Sequence, residues 1–106
     1  MARPLINAPK TVRRGEVFDI RILIAHPMES GQRRDEVGKP IPREIINRFV
    51  CTYGGEEVFR AEFFPAIAAN PFLTFSVRAV ESGVIVMSWT DDLGASQFES
   101  IEIAVT

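Results

Sequence analysis

Cysteine is nearly absent from this chain: Cys51 stands alone, which excludes an internal disulfide and any cysteine-based metal cluster. Histidine is equally scarce. His26 is the only one, flanked by Ala25 and Pro27, and neither neighbour can ligate a metal. No apolar run approaches the length of a membrane span, and the opening MARPLINAPK lacks the long apolar region of a secretory signal. Neither sign of charge is in large excess. Twelve basic side chains face fourteen acidic ones, a net −2, so nothing steers the protein toward nucleic acid. Sustained apolar spacing at the helical period is missing too, as are linkers, internal repeats and low-complexity segments. What remains is ordinary globular material, 46% hydrophobic and 25% charged over 106 residues. That length makes one domain, 1–106, with a core that has little surplus.

Strand signals fill the chain. Val17 to Ala25 alternates, with Phe18, Ile20, Ile22 and Ile24 on one face and Asp19 and Arg21 on the other. Ile45 to Tyr53 is β-branched and aromatic, and Gly54-Gly55 supplies the positive φ of a tight hairpin. Val58 to Phe64, Phe72 to Ala79, Val84 to Thr90 and Ser96 to Val105 follow at intervals near ten residues. A seventh strand falls near Pro4 to Asn7 or Thr11 to Arg13. The pattern predicts an all-β fold, an antiparallel immunoglobulin-like sandwich of about seven strands. The paired-cysteine signature of antibody domains is absent, so the term describes architecture only.

Each reactive group has a plain structural reading beside its functional one. His26 ends its strand, where it would hydrogen-bond a carbonyl while Pro27 stops the ladder. A Ser-His-Asp arrangement with Ser30 or Ser88 lacks the glycines of a nucleophile elbow. Cys51 shares the strand parity of Phe49 and Tyr53, away from Arg48, so nothing cationic stabilises its thiolate and it reads as a small buried hydrophobe. The loop from Met28 to Arg43 sets Arg33, Arg34, Lys39 and Arg43 against Glu29, Asp35, Glu36 and Glu44. The signs cancel, leaving Arg33-Arg34 as a local anion contact at most. Gly31, Gly38, Pro40 and Pro42 shape this loop. Phe63 and Phe64 point to opposite faces. Phe64, with Pro65 and nearby Phe72, therefore reads either as an apolar partner patch or as a covered strand end.

The wording of one segment adds to this. His26-Pro27-Met28-Glu29-Ser30-Gly31, followed by Arg34-Asp35, Gly38-Lys39 and Ile41-Pro42, resembles the SoxZ family. The resemblance continues through Asn70-Pro71-Phe72-Leu73, Phe75, Val77, Trp89 and Asp91-Asp92, and covers Gly15 to the C-terminus. It implies a non-enzymatic, scaffold or chaperone-like subunit that pairs with SoxY in the sulfur-carrier complex of thiosulfate-oxidising bacteria, without cofactor or metal. In that family sulfur intermediates ride on a cysteine in SoxY's Gly-Gly-Cys-Gly-Gly tail, whereas this chain ends Ile103-Ala104-Val105-Thr106. The resemblance further implies a periplasmic protein, exported folded alongside SoxY and its twin-arginine signal. Other pathway enzymes would meet the complex transiently. His26, Met28, Arg33, Arg34, Phe64 and Phe72 are the candidate partner interface. Met28 and Phe72 are expected to contact SoxY, and the two arginines to govern encounters with pathway enzymes. Unpaired edges and exposed phenylalanines predict self-association of the isolated chain. Two readings from other classes stand beside this one: a small sulfurtransferase using Cys51, and a stand-alone module binding a sulfur anion at Arg33-Arg34.

Overall fold

The period-two alternation is also the pattern of burial in the computed structural model, which describes residues 4–106. Eight strands follow one another: β1 (Pro4–Asn7), β2 (Thr11–Val12), β3 (Val17–Ile24), β4 (Ile46–Tyr53), β5 (Glu56–Glu62), β6 (Phe72–Arg78), β7 (Gly83–Asp91) and β8 (Ser96–Val105). In β3 the four expected apolar residues are buried while Asp19 and Arg21 are exposed. Among the described residues there is no helix, and none long and apolar enough to cross a membrane. The all-β expectation holds.

The strands make a three-stranded sheet, β1-β3-β6, and a five-stranded sheet, β2-β8-β7-β4-β5. Their inner faces enclose one core, from Ile20, Ile22 and Ile24 on one side to Phe49, Cys51, Ile85, Met87 and Trp89 on the other. Phe75 of β6 stacks on Phe59 of β5 at 4.3 Å and meets Phe49 of β4 edge-on at 5.9 Å. These rings stitch the two sheets together. The hydroxyl of Tyr53 accepts from Val80 N–H at 3.1 Å and Glu81 N–H at 3.2 Å and donates to the Glu81 carbonyl, closing the β6–β7 connection.

Two details correct the expected topology. Both amino-terminal candidates form strands, giving eight rather than seven. In addition β2 runs parallel to β8, Thr11 beside Ala104 and Val12 beside Val105, so the larger sheet is mixed. Pro9 lies at the crossover from one sheet to the other, where a residue without an N–H ends the β1 ladder. A two-residue strand is too short for alternation to reveal. The Gly54-Gly55 hairpin is as expected, with φ of 59° and 85° in a two-residue loop between Tyr53 and Glu56; positive φ at both central residues is the type I′ turn that suits strand twist.

Between β3 and β4 the chain leaves the sandwich and returns as a hairpin arm. Main-chain bridges join Glu29 to Glu44 and Arg34 to Pro40. The molecule measures 59 Å by 19 Å by 19 Å. An eight-residue strand spans only about 27 Å, so the arm projects well past the strand ends.

Candidate functional site

The arm is rooted in a network that starts at His26, just after β3 ends. Asn70 bonds it at the main chain in both directions: His26 N–H donates to Asn70 Oδ1 at 3.0 Å, and Asn70 N–H donates to the His26 carbonyl at 2.7 Å. Asn70 adopts a left-handed φ of 54°, which asparagine tolerates better than most residues. The imidazole is 9% exposed, and both of its nitrogens are used. Nδ1 accepts from Met28 N–H at 2.9 Å, and Nε2 lies 2.8 Å from Glu44 Oε2. A nitrogen facing an N–H donor carries no proton of its own, so geometry assigns the proton to Nε2, which donates it to Glu44. The ring is the neutral Nε2–H tautomer. The carbonyl expected as the ring's partner is replaced by a carboxylate and an amide.

Met28 is a correction. It was expected to reach a partner from the start of the arm, yet it is 5% exposed and packs in the core. Its Sδ accepts from Ile46 N–H at 3.3 Å. Its φ of 52° is left-handed, at a cost of roughly 1–2 kcal/mol for a residue with a Cβ. The His26 ring holds that conformation by taking the Met28 N–H.

Beyond Met28 the arm is ordered by its own bonds. Glu29 and Glu44 exchange main-chain hydrogen bonds of 2.9 and 2.8 Å. Gly31, with φ of 87°, lies so close to Arg43 that a Cβ there would meet the Arg43 Cβ at 3.0 Å. At the tip, Asp35 Oδ1 takes the N–H groups of Val37 and Lys39. Arg43 then ties the base to the far sheet. Its Nε and Nη2 reach Asp92 Oδ2 and Oδ1 at 2.8 and 3.0 Å, while Ile45 N–H and Asn47 Nδ2 donate to the same carboxylate. Those donors, the Arg43 guanidinium first among them, hold the Asp92 carboxyl well below the usual carboxylate range.

The two arginines of the arm are exposed but occupied. Arg33 Nε and Nη2 grip Glu29, and Arg34 Nη1 donates to the Gly38 carbonyl at 2.8 Å. Phe64 and Phe72 are 63% and 59% exposed; Phe64 lies in the 63–71 loop whose Asn70 bonds His26, and Phe72 directly follows that loop. The structure thus gathers His26, Met28, Phe64 and Phe72 at one end of the sandwich, with the arginines on the arm beyond. Sequence reasoning missed Glu44, Asn47 and the anchoring role of Asp92. Asn70 before a proline carried a turn signal, whereas nothing local marks Glu44 as the partner of His26.

His26, Glu44 and Asp91 bring ligand atoms within 4.8 Å of one another beside a small cleft. A buried Glu44 Oε1 has no hydrogen-bond partner there. The bonds already made at His26 and Asp91 weigh against a metal there. Coordination through Nε2 would move its proton to Nδ1, directly opposite the Met28 N–H, and Asp91 Oδ1 already caps the β7–β8 turn by accepting from Leu93 and Ala95.

Cys51 is fully buried in β4, and burial pushes its thiol up to about 11. The thiol is thus held in its protonated, unreactive form near neutral pH. Iodoacetamide is therefore expected to leave Cys51 unmodified in the folded protein and to label it fully after denaturation; rapid labelling of the native state would refute the burial argument.

The family model of sulphur oxidation protein SoxZ matches residues 6–102. The chain belongs to the SoxZ family. It is a sulfur-oxidation subunit of the Sox system, and the match begins upstream of Gly15, where the resemblance read from motifs starts. No curated protein matches the sequence. Among solved structures, superoxide reductase (neelaredoxin) from Ignicoccus hospitalis is 22% identical with a TM-score of 0.73, over 97% of this chain and 80% of that one. A putative superoxide reductase from Thermotoga maritima is 21% identical with a TM-score of 0.74, over 97% and 85%. The sulfur carrier protein SoxY from Chlorobium limicola is 13% identical with a TM-score of 0.68, over 97% and 78%. At these identities the likeness is one of fold alone, and it places this SoxZ chain and a SoxY on a common β-sandwich.

Proposed function

We propose that this SoxZ chain is the non-carrying subunit of a periplasmic sulfur-carrier complex, pairing with SoxY and presenting SoxY's cysteine to the pathway enzymes. The observation that carries the reading is the state of Cys51. A carrier thiol must ionise, be reached by an enzyme and swing between active sites; this one is sealed inside the sandwich, with a thiol raised to about 11. The same burial weighs against the sulfurtransferase alternative, and the bonds that Arg33 and Arg34 already make to Glu29 and the Gly38 carbonyl weigh against the anion-binding one.

In this reading the domain supplies a stable body and a shaped arm. His26 acts from beneath, as a positioning residue that holds the Met28 turn. Exposed Phe64 and Phe72 offer apolar contact at the same end, and Arg33 and Arg34 mark the arm for encounters with other proteins of the pathway.

The test is mass spectrometry of the reconstituted complex after exposure to thiosulfate and the pathway enzymes. A persulfide or thiosulfonate is expected on the SoxY cysteine only. Cys51→Ser is expected to retain turnover, with a stability loss of about 1–3 kcal/mol from a buried hydroxyl. A sulfur adduct on Cys51, or turnover lost by orders of magnitude in the folded variant, refutes the proposal.

A further inference from the structure

The five-stranded sheet ends in an edge that the chain leaves mostly open. β8 pairs with β7 along its length, from Ser96 opposite Thr90 to Ile103 opposite Gly83, with no register shift. On its other side β2 covers only Ala104 and Val105. Ala104 and Thr106 donate their N–H groups across that side, to the carbonyls of Lys10 and Val12. Groups two residues apart on a strand point the same way. The N–H and C=O of Phe98, Ser100 and Glu102 therefore face outward, and among the described residues none of them has a partner.

A row of unpaired main-chain groups at strand spacing is complementary to another extended strand and to little else. The surface beside it is shaped to receive one. Two clefts, of about 890 and 410 Å³, share Ile6 and Ile101 and follow this edge. β1 and the 8–10 segment after it line them together with β8, and the larger also reaches Ser82, Gly83 and Val84 at the start of β7. Phe98, 73% exposed, stands on the outer face of the same edge. The opposite edge of the sheet is guarded differently: β5 carries Glu56, Glu57, Arg60 and Glu62, with Arg60 paired to Glu57 and a register shift opposite, devices that blunt an edge.

We propose that the open edge of β8 is the docking site for an edge strand of SoxY, which would extend the five-stranded sheet across the heterodimer. The inference rests on the pairing proposed above and names its surface. Two observations favour this occupant over a second copy of the chain. SoxY has the same β-sandwich fold, so it is built from strands of the kind needed. Exposed Glu99 and Glu102 line the edge, so a second copy would crowd four carboxylates along one seam, whereas a strand carrying Lys or Arg would neutralise two.

Ser100→Pro in the full chain is the test. Proline there removes an outward N–H and obstructs strand addition, yet costs no bond to β7, the one setting in which a strand accepts it. Expected are a melting temperature within a few degrees of wild type and SoxY binding weakened about thirtyfold or more by calorimetry. Amide exchange of the wild-type chain provides a second reading that needs no variant. The Phe98, Ser100 and Glu102 amides are expected to exchange fast alone and to become protected with SoxY, while their odd-numbered neighbours are protected in both. Unchanged affinity in folded Ser100→Pro, or unprotected even-numbered amides in the complex, overturns the edge assignment and leaves the pairing intact. Protection of those amides in the isolated chain at raised concentration gives the edge to a second copy and overturns it equally. Failure of the wild-type chain to bind SoxY at all removes the pairing itself, and this inference with it.

Discussion

Asp92→Ala is expected to lower the melting temperature by about 10–20 °C, corresponding to about 2–3 kcal/mol in a domain of this size. The side chain sits at the β7–β8 hairpin and gathers donors from the other end of the arm: Arg43 through two nitrogens, the Ile45 amide and the Asn47 amide. Alanine leaves the Ile45 N–H and Asn47 half-buried without an acceptor, and releases the arm's return strand from the sheet. A pH signature accompanies the loss. The carboxyl is lowered in the folded protein, so its contribution is fully present above the unfolded carboxylate range near pH 4 and disappears as pH falls through the lower folded value. The stability gap between wild type and Asp92→Asn is therefore expected to narrow below about pH 4. Thermal melts from pH 7 to pH 2 would show it; a gap constant over that range would mean the carboxylate is not the anchor.

His26→Ala is expected to be nearly as damaging, at about 2–4 kcal/mol. It leaves the Met28 N–H without its acceptor in a backbone conformation that is unfavourable on its own. It also leaves the Glu44 carboxylate, one oxygen of which is already unpartnered, without its donor. His26→Asn separates the two effects. An asparagine oxygen bonds the N–H two residues on, replacing Nδ1 at Met28, but it is too short to reach Glu44. Stability is expected to rank wild type above Asn above Ala, with amide exchange at Met28 and Glu29 accelerated most in Ala. Equal losses for Asn and Ala, with unchanged exchange at Met28, would show that the ring merely fills space. In neither variant is the tip turn around Asp35 expected to change, because its bonds are local.

These two residues mark where reading along the chain stops. Strand positions, the glycine hairpin, the buried face of β3 and the burial of Cys51 all follow from neighbours one to four positions apart, and each could be read from spacing. Phe64 was correctly placed on the face opposite Phe63 by the same parity. Met28 was misplaced because its setting depends on a contact the sequence does not display: a left-handed turn folds its side chain back under Ile46, 18 positions on. Likewise His26 announces a strand end, but Glu44, which faces its Nε2, comes from the arm's return, and Asn70, which holds its main chain, from the loop before β6.

By itself the sequence determined the all-β class, the alternation that selects each strand's buried face, membership cues for the SoxZ family, and a thiol with nothing to activate it. These are local properties, carried by side-chain type and by a period of two residues. Tertiary structure alone decided the eighth strand and its parallel pairing, the burial of Met28, the capture of Arg43 by Asp92 across 49 positions, and the exposure of one side of β8. The reason is physical: whether a donor, an acceptor or an edge is satisfied depends on which distant segment closes over it, and closure is a property of the folded chain.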